Sequence, residues 1–227
     1  MGPILEQQNM LGREYLLSDA RSMKLDITVP YVQIAREAIQ LRDFFIPYQQ
    51  GGDYRHQGWY SLPLHGLGDD KTLAWKGYGY TDAYKAAADM HWTSWADKCP
   101  VTTHWLKTQF PSQIYGRVRF MLLEPGGFIA PHHDGDSRAL EAINISLINP
   151  EGCNWYWQDG STVDFTSGNA VAVNISYEHE VRNDSNEDRY HMIIHHYDST
   201  LAWKDLMTRS MEKQNVKGNF YHSTELY

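Results

Sequence analysis

The spacing of apolar and polar positions changes near residue 115. Before it, apolar side chains recur at helical intervals, with Ile34, Ala38 and Leu41 on one stripe after Pro30. Three helices are predicted, over residues 29–48, 81–98 and 102–110. One short strand at residues 58–64 interrupts a loop-like stretch. The first half of the chain is therefore predicted to be mostly helical.

After residue 115 the pattern is that of short strands. Five strands are predicted, over residues 117–123, 142–148, 154–158, 170–175 and 190–197. Turn sequences separate them: EPGG at 124–127, NPEG at 149–152 and the hairpin signal DG at 159–160. In the second strand Ile143, Ile145 and Leu147 alternate with Ala142, Asn144 and Ser146. This pattern predicts an antiparallel barrel or sandwich, closed by a helix from Ser199 to about residue 214.

Neither a repeat nor a flexible linker divides the sequence, so residues 1–227 are predicted to form a single domain. Within it, residues 1–114 are expected to be helical support and a lid. Residues 115–197 are the expected β core with the site, and residues 198–227 a C-terminal helix and tail.

Composition narrows the classes of protein. Hydrophobic residues make up 42% of the 227 residues and charged ones 21%, which is typical of a globular protein. The formal net charge of −8 argues against a general nucleic-acid binder. Cys99 and Cys153 have no CxxC spacing, which excludes a zinc knuckle and a disulfide framework and suits a reducing compartment. With neither a signal peptide nor a long apolar run, we expect a cytoplasmic protein that does not bind membranes.

The chemistry is concentrated in the motif PHHDG at residues 131–135. His132 and Asp134 are two positions apart, so on extended backbone they share a face and can grip one metal ion. His179, after the strand at 170–175, can supply a third ligand. Two imidazoles and one carboxylate that leave open positions are the mark of non-haem Fe(II) oxygenases. An HxD triplet also arises by chance in a solvated loop, and a register through His133 would leave Asp134 out of the site.

Arg189 makes the oxygenase interpretation more specific. It follows His179 by ten positions and opens the last predicted strand. A metal-bound 2-oxoglutarate has a distal carboxylate that must be paired when buried, and arginine is its natural partner. The alternative is an exposed strand residue, but HxD, His and Arg together are more specific than any one of them.

These residues resemble the aspartyl/asparaginyl β-hydroxylase family of 2-oxoglutarate oxygenases, whose bacterial members include proline hydroxylases. The resemblance covers about residues 115–197. Its motifs are EPGGFIAPHHD at 124–134, NPEGC at 149–153, YEHEVRN at 177–183 and DR at 188–189. It implies a mainly β protein with flanking helices, whose core is a double-stranded β-helix, the jelly-roll or cupin-like barrel.

The resemblance also implies roles for individual residues. His132 and His179 match the iron-binding histidines, Asp134 matches the carboxylate of the proline-hydroxylase branch, and Arg189 matches the arginine on the distal carboxylate of 2-oxoglutarate. The family often has an Arg-x-His pair where this sequence has Ala142 and Asn144. Asn144 can still donate a hydrogen bond, and the missing cation would come from Arg119 or Arg138.

The implied function is hydroxylation of an aliphatic carbon of an amino acid or peptide side chain. Fe(II), 2-oxoglutarate and O2 are required, and succinate and CO2 are released. No catalytic side chain is expected beyond the metal ligands. Pocket candidates are Trp59, Tyr60, Trp155, Trp157 and His191. Two alternatives stay open: a cupin-type metalloenzyme that does not use 2-oxoglutarate, and a non-catalytic metal-binding sensor or interaction barrel. The sequence leaves the substrate and the oligomeric state open.

Overall fold

A computed structural model describes residues 14–48, 54–70, 75–134, 139–140, 142–197 and 200–222. The strands are β1 (Glu14–Ser18), β2 (Ser22–Lys24), β3 (Ile46–Pro47), β4 (His56–Gly66), β5 (His91–Trp92), β6 (Tyr115–His132), β7 (Ala142–Ile148), β8 (Cys153–Trp157), β9 (Ala170–Val173), β10 (His179–Asn183), β11 (Arg189–His196) and β12 (Gly218–His222). The helices are α1 (Tyr31–Gln40), α2 (Ala83–Asp89), α3 (Ser94–Asp97), α4 (Pro100–Thr108) and α5 (Leu201–Gln214), with 3-10 turns at Arg42–Phe44 and Trp75–Tyr78.

Strand β6 organises the main sheet, in which all described pairs are antiparallel. Along one edge it pairs with β4. Along the other edge its first half pairs with β11, from Tyr115 to Leu123, and its second half pairs with β10, from Phe128 to His132. The order β2-β9-β7-β11-β6-β10-β8 follows. One long strand therefore joins two groups of strands.

The change of partner occurs at residues 124–127, where the sequence predicts a turn. That prediction is wrong, because the chain bends but continues as one strand. Gly126 has φ +70°, and a Cβ on Gly127 would lie 2.8 Å from the carbonyl oxygen of Glu124. Only glycine accommodates such backbone, so the Gly-Gly pair permits the bend.

The helix predicted over residues 81–98 is also wrong in its middle. Helix α2 ends at Asp89, and β5 then pairs with the end of β4. The Thr93 hydroxyl donates to the carbonyl of Pro63 at 2.7 Å, and its amide donates to that of Leu64 at 3.0 Å. These contacts with a distant strand outweigh the helical preference of the alanine-rich segment. Pro100 is the first residue of α4, a position that a proline favours.

The alternation along β7 is confirmed. Ile143, Ile145 and Leu147 join the larger apolar core, which packs against α1 and α4. Asn144 points to the opposite side of the sheet, into a cavity. Residues of β6 and β11 alternate in the same way, so one side of the sheet is core and the other surrounds the cavity.

The predicted fold class is confirmed as mainly β with a jelly-roll arrangement of antiparallel strands and flanking helices. The strands do not close into a barrel among the described residues. The closing helix α5 begins after Thr200, whose hydroxyl accepts the Trp203 amide at 3.0 Å. The predicted cap, Ser199, lies outside the described residues. None of the described helices has the length and apolar character needed to cross a membrane.

Helix α4 begins without a cap from its own side chains, and Glu37 of α1 takes that role. Its carboxylate accepts the amides of Val101 at 2.7 Å and Thr102 at 2.9 Å, and the Thr102 hydroxyl at 2.6 Å. A carboxylate at a helix N-terminus satisfies amides that lack intrahelical partners. Glu37 is buried, so this contact ties the two helices together.

We predict that Glu37→Ala lowers the free energy of unfolding by about 3 kcal/mol, because three donors at the start of α4, two of them buried, lose their acceptor. Glu37→Gln should lose less, since one acceptor oxygen remains. Urea denaturation followed by circular dichroism measures both. Gln33→Ala, on the exposed face of the same helix, is the control and should change stability by less than about 0.5 kcal/mol. An equal loss in the control and in Glu37→Ala would contradict the capping role.

Candidate metal centre

Two histidines face each other across the ladder of β6 and β10. His132 is the last residue of β6, His179 is the first of β10, and the two are direct cross-strand partners. Their ring centroids are 4.3 Å apart. Asp134 follows two residues later, and one ligand atom from each of the three side chains lies within 4.8 Å of the others. The structure thus brings together the three residues that the sequence selects as metal ligands.

Backbone carbonyls orient both imidazoles. The Nδ1 of His132 lies 2.8 Å from the carbonyl oxygen of Ala130, and that of His179 lies 2.9 Å from that of Tyr177. A carbonyl only accepts, so each Nδ1 carries the proton and each Nε2 keeps a lone pair. The Nε2 of His132 is 3.6 Å from a carboxylate oxygen of Asp134. A hydrogen bond from the other ring nitrogen to a backbone carbonyl is typical of metal-binding histidines.

The surroundings of His179 and Asp134 favour the forms that bind a cation. Burial lowers the pKa of His179, which keeps that imidazole neutral. Burial alone would raise the pKa of Asp134, but His132, His179 and Arg119 outweigh it and lower that pKa. Two imidazole nitrogens and one carboxylate oxygen form a ligand set that fits Fe(II).

His133 is exposed, whereas His132 is buried. His132 and Asp134 line the cavity, as the alternation of an extended segment requires, whereas His133 is not among the lining residues, so the register through His133 finds no support in this geometry. Gly135, the partner of His133 in that register, lies outside the described residues.

Aromatic rings enclose the two histidines. Tyr54 stacks on the His132 ring, with centroids 3.9 Å apart and planes 19° from parallel. Trp155 and Trp157 lie 5.5 and 6.1 Å from the His179 ring. Such packing restricts the rotation of the two imidazole rings.

The triad opens on a cavity of about 200 Å³. Arg189 lines it and is almost fully buried, with 1% of its surface exposed. Its Nε donates to the side-chain oxygen of Asn149 at 3.2 Å, and its guanidinium lies 4.7 Å from the centre of the Phe165 ring. Burial lowers its pKa, and among the described residues no carboxylate acts on it. A buried cation without a counter-ion is costly unless a ligand supplies one.

The other predicted cosubstrate contacts also line the cavity. Asn144 lies on β7 and is buried, and Arg119 lies on β6 with its guanidinium 5.8 Å from the centre of the Tyr48 ring. Arg138 lies outside the described residues. Of the predicted pocket aromatics, Trp59, Trp155 and His191 line the cavity, whereas Tyr60 packs against the larger core.

Sequence reasoning missed two residues of the site. Arg117 lines the cavity beside Arg119, where burial lowers its pKa to about 10. The sequence RVR at 117–119, read as an alternating strand, already places both arginines on one face. No sequence pattern identifies Tyr54, because it lies in a segment for which neither a helix nor a strand is predicted.

The family model of aspartyl/asparaginyl beta-hydroxylase matches residues 30–198. The chain belongs to the aspartyl/asparaginyl β-hydroxylase family. It is therefore an oxygenase of the hydroxylase type, and the expected Fe(II), 2-oxoglutarate and O2 are the cofactor set of this family. The match begins at Pro30, so it also includes residues 30–114, which lie outside the sequence resemblance.

Solved structures with a similar course of the chain include hydroxylases. A prolyl-4-hydroxylase of Pseudomonas putida is 13% identical, with 80% of this chain and 95% of that chain covered and a TM-score of 0.41. The viral collagen prolyl hydroxylase of Paramecium Bursaria Chlorella virus-1 is 12% identical, with 78% and 96% covered and a TM-score of 0.38. AviO1 of Streptomyces viridochromogenes is 14% identical, with 86% and 96% covered and a TM-score of 0.43. No curated protein matches the chain.

For this family member we predict that His132→Ala, Asp134→Ala and His179→Ala each lose tightly bound Fe(II), because each removes one of three converging ligands. His133→Ala is the matched control and should retain about one iron per chain. Metal content after anaerobic desalting measures both. Loss of iron in His133→Ala together with full occupancy in His132→Ala would reverse the register.

Proposed function

We propose that this protein is an Fe(II)- and 2-oxoglutarate-dependent dioxygenase. It hydroxylates an aliphatic carbon of an amino acid or peptide side chain and releases succinate and CO2. His132, Asp134 and His179 hold the iron. Family membership supports the type of reaction, and the converging side chains support the ligand set.

The burial of Arg189 carries the cosubstrate assignment. A cupin-type enzyme without 2-oxoglutarate, or a metal sensor, has no use for a buried guanidinium that lacks a carboxylate partner. The distal carboxylate of 2-oxoglutarate supplies the missing charge through paired hydrogen bonds. Asn149 holds the Nε, which leaves the terminal nitrogens of the guanidinium for the ligand.

Asn144 and Arg119 serve the other end of the cosubstrate. Arg119 lowers the pKa of Asp134, so its charge acts on the metal side of the cavity. Ile193 of β11 has two cross-strand partners, Asn144 on β7 and Arg119 on β6. Both donors therefore approach the cavity at the same level, where they can hydrogen-bond the keto-acid group.

Bound Fe(II) supplies the oxygen chemistry: O2 and 2-oxoglutarate are converted to succinate and CO2, and one oxygen atom is inserted into a substrate C–H bond. The protein residues bind, orient and exclude water. Trp155 and Trp59 form apolar walls, and no side-chain acid or base is assigned to the hydrogen abstraction. The buried indole nitrogens of Trp155 and Trp59 have no hydrogen-bond partner among the described residues.

The function is tested by incubating the Fe(II)-loaded protein with 2-oxoglutarate and a panel of amino acids and peptides. We expect succinate release that rises with one panel member, and a product heavier by one oxygen atom. Iron binding without succinate, with or without panel members, would favour the sensor or the cupin alternative.

We predict that Arg189→Met weakens 2-oxoglutarate binding to the Mn(II)-loaded protein by about 100-fold or more, because a buried charge pair is broken. Mn(II) affinity should change little. Isothermal titration calorimetry measures both constants. Arg182→Met, an exposed arginine of β10, is the control and should bind 2-oxoglutarate normally.

The stability of the Arg189→Met variant distinguishes a cosubstrate-binding role of Arg189 from a structural one. If the role of Arg189 is to bind an anionic ligand, replacing it with an apolar side chain should leave the unfolding free energy of the ligand-free protein unchanged or higher. A large loss of stability in Arg189→Met, with unchanged affinity for 2-oxoglutarate, would assign Arg189 to the fold.

A further inference from the structure

The lining of the cavity changes from polar to apolar along strand β11. Arg189, His191 and Ile193 are alternate residues of this strand, and all three line the cavity. Arg189 is 1% exposed and His191 is 4% exposed, whereas Ile193 is half-buried. Exposure therefore increases along the strand, from a closed end at Arg189 toward an open end beyond Ile193.

Strand β7 shows the same change in the antiparallel direction. Asn144 is the cross-strand partner of Ile193, and Ala142 lies two residues nearer the open end. Both side chains line the cavity, because positions two apart on a strand share a face. On each strand, a side chain that can form hydrogen bonds is thus followed toward the open end by an aliphatic one.

Ile175 brings a third aliphatic side chain to the open end. It follows strand β9, whose last residue, Val173, is the cross-strand partner of Ala142. Ile175 lines the cavity and is half-buried, and its carbonyl oxygen accepts the amide of Asp134 at 2.9 Å. Ala142, Ile175 and Ile193 thus form an aliphatic rim beside the segment that carries a proposed metal ligand.

Three polar residues also line the cavity near this end: Arg117, Arg119 and His195. Each of them already has interactions within the protein. A ligand group placed against them competes with those interactions, whereas a group that covers the aliphatic rim displaces only water from apolar surface. The rim is therefore the part of the open end that selects for apolar character.

The apolar surface of the rim produces selectivity. Each methylene group that a ligand buries against apolar side chains increases the affinity by about fourfold. A carboxylate or an amide in the same position loses its hydrogen bonds to water without replacement, which weakens binding. The ligand group that lies beside the proposed metal ligands is thus selected for its lack of polar atoms.

Resting on the proposed function, we propose that the side chain to be hydroxylated is an apolar aliphatic one, and that the aliphatic rim holds it beside the metal. Ala142, Ile175 and Ile193 are then specificity-determining residues. The side chains of leucine, isoleucine and valine fit this surface, in a free amino acid or in a peptide. The aspartyl and asparaginyl side chains in the name of the family do not.

Pairs of amino acids with nearly the same shape test the proposal in the Fe(II)-loaded protein. Leucine is compared with asparagine and valine with threonine, each as the free amino acid and as its N-acetyl amide. We expect the apolar member of a pair to stimulate succinate release with a kcat/KM at least about 10-fold higher than that of the polar member. Because the comparison is made within one format, it does not depend on whether the natural substrate is free or part of a peptide.

Variants of the rim locate the selectivity. Ile175→Ala and Ile193→Ala should each lower kcat/KM for the preferred amino acid by at least about 10-fold, and Ile193→Val, which removes one methylene, by about fourfold. The affinity for 2-oxoglutarate should stay within about threefold of the wild-type value. Ile148→Ala is the matched control, since Ile148 is a half-buried isoleucine of β7 that packs against the larger core, and it should keep the wild-type preference.

A binding measurement does not depend on turnover. With Mn(II) and saturating 2-oxoglutarate bound, the methyl proton signals of leucine should broaden more than the β-proton signals of asparagine at the same concentration. Ile193→Ala should reduce this difference, and Ile148→Ala should preserve it. Equal broadening of both amino acids in the wild type, or broadening of neither, would overturn the aliphatic site.

Two further results would overturn the proposal. One is that asparagine or threonine stimulates succinate release as well as its apolar counterpart. The other is that the Ile175→Ala and Ile193→Ala variants lose affinity for 2-oxoglutarate as strongly as they lose kcat/KM for the amino acid. Failure of the proposed function is seen separately, as absence of succinate release with every panel member together with absence of 2-oxoglutarate binding.

Discussion

The site depends on the pairing of His132 with His179, which places two imidazoles on neighbouring strands with their ring centroids 4.3 Å apart. This pairing exists because β6 leaves β11 at its glycine bend and continues beside β10. Before the bend, the same strand carries Arg117 and Arg119. One strand therefore supplies a proposed metal ligand after the bend and cationic side chains before it, and the bend sets their relative position.

The parts predictable from sequence are those fixed by local geometry. The two-residue spacing from His132 to Asp134 determines that they share a face, and the alternation along β7 determines that Asn144 leaves the core. From the residue pattern alone, His179 is only one candidate for the third metal ligand. The family resemblance selects it. Strand β10, which holds it, was not predicted as an element, because its sequence HEVRN has only one apolar residue.

The sequence-based predictions fail where contacts between residues far apart in the sequence decide the structure. Two adjacent glycines after a proline favour a reversal and a bend equally, and the pairing of β6 with β4 both before and after these residues selects the bend. The segment at 83–98 is rich in helix formers, yet Thr93 and the pairing of β5 hold its centre in extended form. The burial of Arg189 likewise follows from its place beside Leu123 and above Phe165, which are far from it in sequence.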